Sequence, residues 1–137
     1  MEIKQLLPLI FSLSSLAASP TEIVAITILG EARGEGKIGM RAIAEVIQQR
    51  SKERHLAPEV VCLQPKQFSC NNKQINTKLL QSPQAPIALE LAKNINTVGN
   101  SLTFGANHYC VTNIAPYWAK GLTPVTVIGR HKFFKVK

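Results

Sequence analysis

Carboxylates are the first residues to weigh for chemistry, because the chain contains eight Glu and no Asp. Glu31 has the most distinctive setting. It lies in the stretch Ile28-Leu29-Gly30-Glu31-Ala32-Arg33-Gly34-Glu35-Gly36, directly after a segment, Ile23 to Leu29, in which only Thr27 is polar. So apolar a segment reads as a buried helix. Thr21 is expected to cap it, with Glu22 in the first turn, and Gly34 and Gly36 supply the backbone freedom at which helices end. A carboxyl in the last turn of a buried helix, near the negative end of the dipole, is favoured in its protonated form. A general acid working near neutral pH needs that form. Arg33 follows two positions later and points to another side of the helix, so it need not neutralise Glu31. Two-carboxylate glycosidases require a second acid roughly 5 to 10 Å from the first. Glu35, one turn further on, and Glu45, on the next helix, are the candidates.

Cysteine and histidine offer other chemistries. Cys62, Cys70 and Cys110 are an odd number. A Cys62–Cys70 disulfide is expected to tie down the loop that carries Gln67 and Phe68, contributing about 2 to 3 kcal/mol if unstrained. The spacing of the cysteines with His108 and His131 matches no standard zinc pattern, so neither a metal nor another cofactor is expected. His108 and Cys110 would share one face of a strand, as a base and a thiol nucleophile must, but no helix N-terminus activates the thiol. Aromatic and amide residues in loop-like sequence form a further group. Gln67, Phe68, Ser69, Asn107, His108, Tyr109 and Trp118 suit a sugar groove, with rings to stack on the pyranose faces and amides or hydroxyls for its oxygens. Phe68, Tyr109 and Trp118 suit a core equally well. Of Phe133 and Phe134, one is expected in the core and the other over an edge, and His131 reads as a hydrogen-bonded structural residue.

The elements that must position these side chains follow from periodicity. From Lys37 to about Arg54, Met40, Ile43, Ala44 and Ile47 recur at helical spacing, with Arg41, Glu45, Gln48 and Lys52 expected outward. Ala57 to Lys78 reads as a long polar connection, of the kind that often carries function. Ser82-Pro83 predicts the start of another helix, with Ala88, Leu91, Ala92 and Ile95 as its buried stripe and Gly99 beyond its end. After Leu102 the pattern turns to short strands, one around Val125 to Val127 and another from His131 to Lys135, with Gly129 between them. The fold class is therefore α+β, mainly helical with a small antiparallel sheet in the C-terminal part.

A chain of 137 residues with 45% hydrophobic and 18% charged residues makes one globular domain. Residues 1–17 read as a secretory signal, with Lys4 ahead of an apolar run, Leu6 to Leu16, that is too short to span a bilayer. The catalytic domain is then 18–137, exported to the periplasm, cell envelope or medium. The formal net charge of +8 favours a polyanionic partner, either peptidoglycan with its carboxylates or nucleic acid.

A resemblance narrows these readings. Gly30-Glu31-Ala32-Arg33-Gly34-Glu35-Gly36 and the helix after it, Gln67-Phe68-Ser69, Gly105-Ala106-Asn107-His108-Tyr109 with Pro116-Tyr117-Trp118-Ala119, and Ile128-Gly129-Arg130-His131-Lys132-Phe133-Phe134 stand in the order found in the spore cortex-lytic enzyme family of cell-wall hydrolases. The chain resembles that family from about Thr21 to Lys135. The resemblance implies a lysozyme-like fold and cleavage of the β-1,4 bond between N-acetylmuramic acid and N-acetylglucosamine, with Glu31 as the catalytic acid. It also implies lytic transglycosylation, in which the same Glu later takes the proton from the muramic 6-hydroxyl. The missing Asp agrees with a single-carboxylate mechanism. One departure is Cys70 after Gln67-Phe68-Ser69, where an aromatic residue is commoner and which bears on groove width. The expected partner is the peptidoglycan glycan strand, with no nucleic acid, no membrane span and a monomeric state. The alternatives are a hydrolytic muramidase or glucosaminidase using Glu35 or Glu45 to position water, and a basic wall- or nucleic-acid-binding module without activity. The family also includes phage lysins.

Overall fold

The computed structural model describes residues 17–64 and 75–137. Helix α1, Pro20–Ala32, opens with a capping box. Ser19 Oγ accepts from the Glu22 backbone N–H at 3.1 Å, and Glu22 Oε1 accepts from the Ser19 N–H at 2.8 Å. The cap is thus Ser19 and not Thr21. Pro20 stands at the first helical position, where no N–H donor is needed. Val24 to Leu29 are all buried, so this helix runs through the centre of the molecule. A 3₁₀ turn at Arg33–Glu35 links it to α2, Gly36–Arg54. The break is made at Gly36, whose φ of 77° lies in the region that side chains disfavour.

Helix α2 departs from the expected pattern in a revealing way. Its apolar stripe is buried as read, but Glu45 and Gln48, expected outward, are buried too. Both face the segment 96–103. Gln48 Nε2 donates to Asn96 O at 2.8 Å and its Oε1 accepts from Gly99 N at 2.9 Å. Glu45 Oε1 accepts from Thr103 N at 2.9 Å, Thr103 Oγ1 at 2.8 Å and Leu102 N at 3.1 Å. Two buried polar side chains therefore act as hydrogen-bond partners for backbone groups of the connection that follows α4.

Helix α3, Pro58–Leu63, occupies the start of what was expected to be an irregular connection. Pro58 does end the preceding pattern, and it also stands in the first turn of a new helix. A 3₁₀ turn at Thr77–Gln81 precedes α4, Ala85–Lys93, so the helix predicted from Ser82 begins slightly later, with Gln84 at its cap and Pro86 in its first turn. The core joins α1, α2, α3 and α4 through Ile28, Leu29, Ile43, Ile47, Val61 and Ala88, and Phe133 of the sheet completes it. Each such fully buried large aliphatic or aromatic side chain stabilises the fold by about 1.5 to 3 kcal/mol relative to exposure.

Three antiparallel strands follow: β1 His108–Val111, β2 Thr126–Ile128 and β3 His131–Phe134, in the order β1-β3-β2. Tyr109 pairs with Phe133 and Val111 with His131, so these four side chains share the face toward the helices. His108, Cys110, Lys132 and Phe134 share the outer face. Phe133 is core and Phe134 lies under Trp118, at 5.3 Å between ring centroids. No helix among the described residues is long and apolar enough to cross a membrane.

Candidate active site

Glu31 reaches the surface because the last turn of α1 leaves the core just as the chain breaks into the 3₁₀ turn. It lies in a cleft of about 360 Å³ lined also by Gly30, Ala32, Arg33, Glu35, Val111, Arg130 and His131. The cleft is the gap between the end of α1 and the inner face of the sheet.

Tyr109, from the middle of β1, spans that gap and donates its hydroxyl to Glu31 Oε1. Three neighbours set its ring. His131 stands edge-on at 5.3 Å, Phe133 lies at 5.8 Å, and the Arg50 guanidinium lies 5.9 Å from the ring centroid. Arg50 is buried and its Nε donates to Asn107 O at 2.7 Å, which ties α2 to the start of β1. Burial lowers the Arg50 pKa, an effect opposed by Tyr109, Cys62 and Glu31. A buried cation thus underlies the tyrosine that holds the acid.

Glu35 lines the same cleft. Its Oε1 accepts from Arg130 N at 3.0 Å and lies 3.3 Å from His131 Nδ1, and Oε2 is 3.8 Å from Arg130 Nε. Gly129 makes this approach feasible, since it has φ 57° and a Cβ there would come within 3.2 Å of Glu35 Oε1. The other candidate second acid, Glu45, is buried against residues 102–103 and does not line the cleft.

The expected sugar-binding group is divided by the pleat of β1. Tyr109 faces Glu31, whereas His108 faces outward and packs on Trp118 at 4.9 Å between centroids. Burial lowers the His108 pKa, helped by Arg50 and Arg54 and opposed by Glu53. The Asn107 amide is committed to structure: Nδ2 donates to both Glu53 carboxylate oxygens at 3.0 Å and to Val136 O at 2.7 Å, and Oδ1 accepts from Val136 N at 2.8 Å. Gln67, Phe68, Ser69 and Cys70 lie outside the described residues. Cys62, the other half of the expected disulfide, is buried, and burial pushes its thiol up to about 12. Cys110 donates to Ile114 O at 3.9 Å, and the His108 Nδ1 contact is to Asn107 Oδ1 at 3.0 Å, so neither contact joins the His108–Cys110 pair into a dyad.

Arg50 is the functional residue that sequence reasoning overlooked. The signal was present, since Met40, Ile43, Ile47 and Arg50 continue one helical stripe and a charge on an apolar stripe marks a buried partner. His131, read as a hydrogen-bonded structural residue, contacts Glu35 and also lines the cleft.

Helices first, a small antiparallel sheet last and an acid at a helix end in the cleft between them define a lysozyme-like domain. The fold is similar to that of the catalytic domain of the Bacillus cereus SleB protein, with a TM-score of 0.66 and 24% identity over 88% of this chain and 94% of that one. Residues 34–134 match the family model described as Cell Wall Hydrolase, and the chain belongs to that family. No curated protein matches it by sequence. It is a peptidoglycan-degrading enzyme, and the family match begins just after Glu31.

Proposed function

We propose that the chain cleaves the β-1,4 bond between N-acetylmuramic acid and N-acetylglucosamine as a lytic transglycosylase, with Glu31 as its only acid/base. The observation that carries this reading is the hydrogen bond from Tyr109 to Oε1 of Glu31, which lines the cleft. Because Oε1 already accepts from Tyr109, the acid form of Glu31 carries its proton on Oε2. That proton goes to the glycosidic oxygen as the C1–O bond breaks. The resulting carboxylate then takes the proton of the muramic 6-hydroxyl, whose oxygen bonds to C1 and closes the 1,6-anhydro ring. The base is regenerated as the acid, and no water is consumed. Export by residues 1–17, with 18–137 as the mature enzyme at the cell envelope, completes the proposal.

Hydrolysis is the second reading, and Glu35 favours it by lining the same cleft. Against it, Glu35 is already engaged by the Arg130 backbone N–H and by His131. Digestion of purified peptidoglycan by residues 18–137 and by the Glu31→Gln variant, followed by mass spectrometry of the muropeptides, separates the readings. Anhydro-muramic ends made only by the unaltered protein are expected. Reducing muramic ends would replace transglycosylation by hydrolysis, and equal digestion by Glu31→Gln would remove Glu31 from the chemistry.

A further inference from the structure

The outer face of the sheet carries a second groove, on the side away from Glu31. It holds about 340 Å³ and is lined by Pro116, Tyr117, Lys120, Leu122, Pro124 and Lys132, with Phe134 at its base. Tyr117 is 91% exposed, an unusual setting for an aromatic ring in a domain whose other tyrosine is half-buried. It sits on the 3₁₀ turn Tyr117–Ala119, anchored from below by Trp118, which packs against both His108 and Phe134. The ring therefore projects from a fixed support. Lys120 and Lys132 are the charged residues of the lining, and no carboxylate is among them. Lys132 alternates with Phe133 along β3, so the groove and the Glu31 cleft open on opposite faces of one sheet.

We propose that this groove is a second, non-catalytic binding site for a peptidoglycan glycan strand. The Tyr117 ring would stack on a sugar face, with Lys120 and Lys132 pairing with the carboxylates of the muramic lactyl or stem-peptide groups. The choice of occupant rests on the reading of the chain as a peptidoglycan-cleaving enzyme and on charge complementarity. A strand of alternating apolar sugar faces and anionic substituents matches an exposed ring flanked by lysines. Because the two sites face apart, a strand held here is a neighbour of the one being cut. Such a second contact raises the effective concentration of the cleft at the wall surface.

The test is an NMR titration of the Glu31→Gln protein, 18–137, with a soluble tetrasaccharide of alternating N-acetylglucosamine and peptide-bearing N-acetylmuramic acid. Two separate sets of shifting signals are expected, one around residue 31 and one at Tyr117, Lys120 and Lys132. Tyr117→Ala should weaken the second set about fivefold, and Tyr117→Phe should restore it. Neutral chito-oligosaccharide should bind the second site more weakly than the anionic one, and added salt should reduce that difference. Shifts confined to the cleft would overturn the proposal while leaving the proposed function intact. Equal binding of the neutral sugar would overturn the role of the lysines. A change in sedimentation on altering Tyr117, without a change in glycan shifts, would reassign the face to contact between copies. Wall digestion by Glu31→Gln would instead overturn the proposed acid and leave the second-site result standing.

Discussion

Tyr109→Phe removes one oxygen and leaves the rest of the site in place. The ring keeps its contacts with His131, Phe133 and Arg50, while the hydrogen bond to Glu31 Oε1 is lost. As Glu31 gives its proton to the leaving oxygen, the Tyr109 bond becomes one to an ionised partner, worth about 1.5 to 3 kcal/mol, and about 1.4 kcal/mol in the barrier is a factor of ten in rate. If the bond serves to fix the acid at the scissile oxygen, kcat should fall about 10- to 100-fold on soluble glycan strands, with KM changed by less than about twofold. The melting temperature should fall by at most a few degrees, because the lost group is at the cleft and not in the core. Tyr109 touches the acid and not the reacting bond, so it is a positioning residue. Combining Tyr109→Phe with Glu31→Gln provides the control, since a residue acting through Glu31 adds nothing once Glu31 is gone. A Tyr109→Phe enzyme within about twofold of the unaltered kcat would refute the reasoning. So would an additive loss in the double variant.

Two further outcomes follow from groups outside the cleft. Glu45→Ala leaves Leu102 N, Thr103 N and Thr103 Oγ1 without their shared acceptor, which should destabilise the fold by about 3 kcal/mol and lower the melting temperature by about 10 °C in a thermal scan. Full activity of that variant well below its melting point would confirm that Glu45 serves structure, whereas selective loss of kcat at unchanged stability would restore it as a second acid. His108 has a pKa lowered mainly by burial, so the unfolded chain takes up a proton there before the folded chain does. Its neutral form contributes stability above pH ~6.5 that is lost as pH falls toward the lowered folded value. Denaturant unfolding between pH 7.5 and 5 should show this decline, and His108→Gln should flatten it; a slope unchanged by the substitution would exclude His108 as its source.

The helical frame and the placement of Glu31 are legible in the sequence because both rest on local patterns. An apolar run, a helix-ending glycine and a carboxylate between them are near neighbours, and helix geometry fixes their relation. The division of the aromatic group was not legible in the same way. That Tyr109 faces Glu31 while His108 faces Trp118 depends on the register of β1 against β3, a long-range pairing that a one-residue slip would invert. Glu45, Gln48 and Asn107 misled for a related reason. The sequence pattern assigns Glu45 and Gln48 to solvent and Asn107 to a sugar groove, yet all three make hydrogen bonds to backbone, at 96–103 and at Val136. Only the fold shows which backbone lacks its own partners.

Arg50 joins these contacts at one junction. Its Nε holds the carbonyl of Asn107, the residue whose amide in turn grips Glu53 and Val136, so one guanidinium fixes where β1 begins relative to α2. The next residue in β1 but one is Tyr109, whose ring lies against that same guanidinium and whose hydroxyl meets Glu31. The geometry of the proposed site is therefore set by the contact between α2 and β1 as much as by α1, which carries Glu31. A charged group buried at that junction tolerates little displacement, because its desolvation is offset only while its partners stay in place. Burial of Arg50 thus fixes how Tyr109 stands against Glu31, and with it the spacing of α1 from the sheet across the cleft.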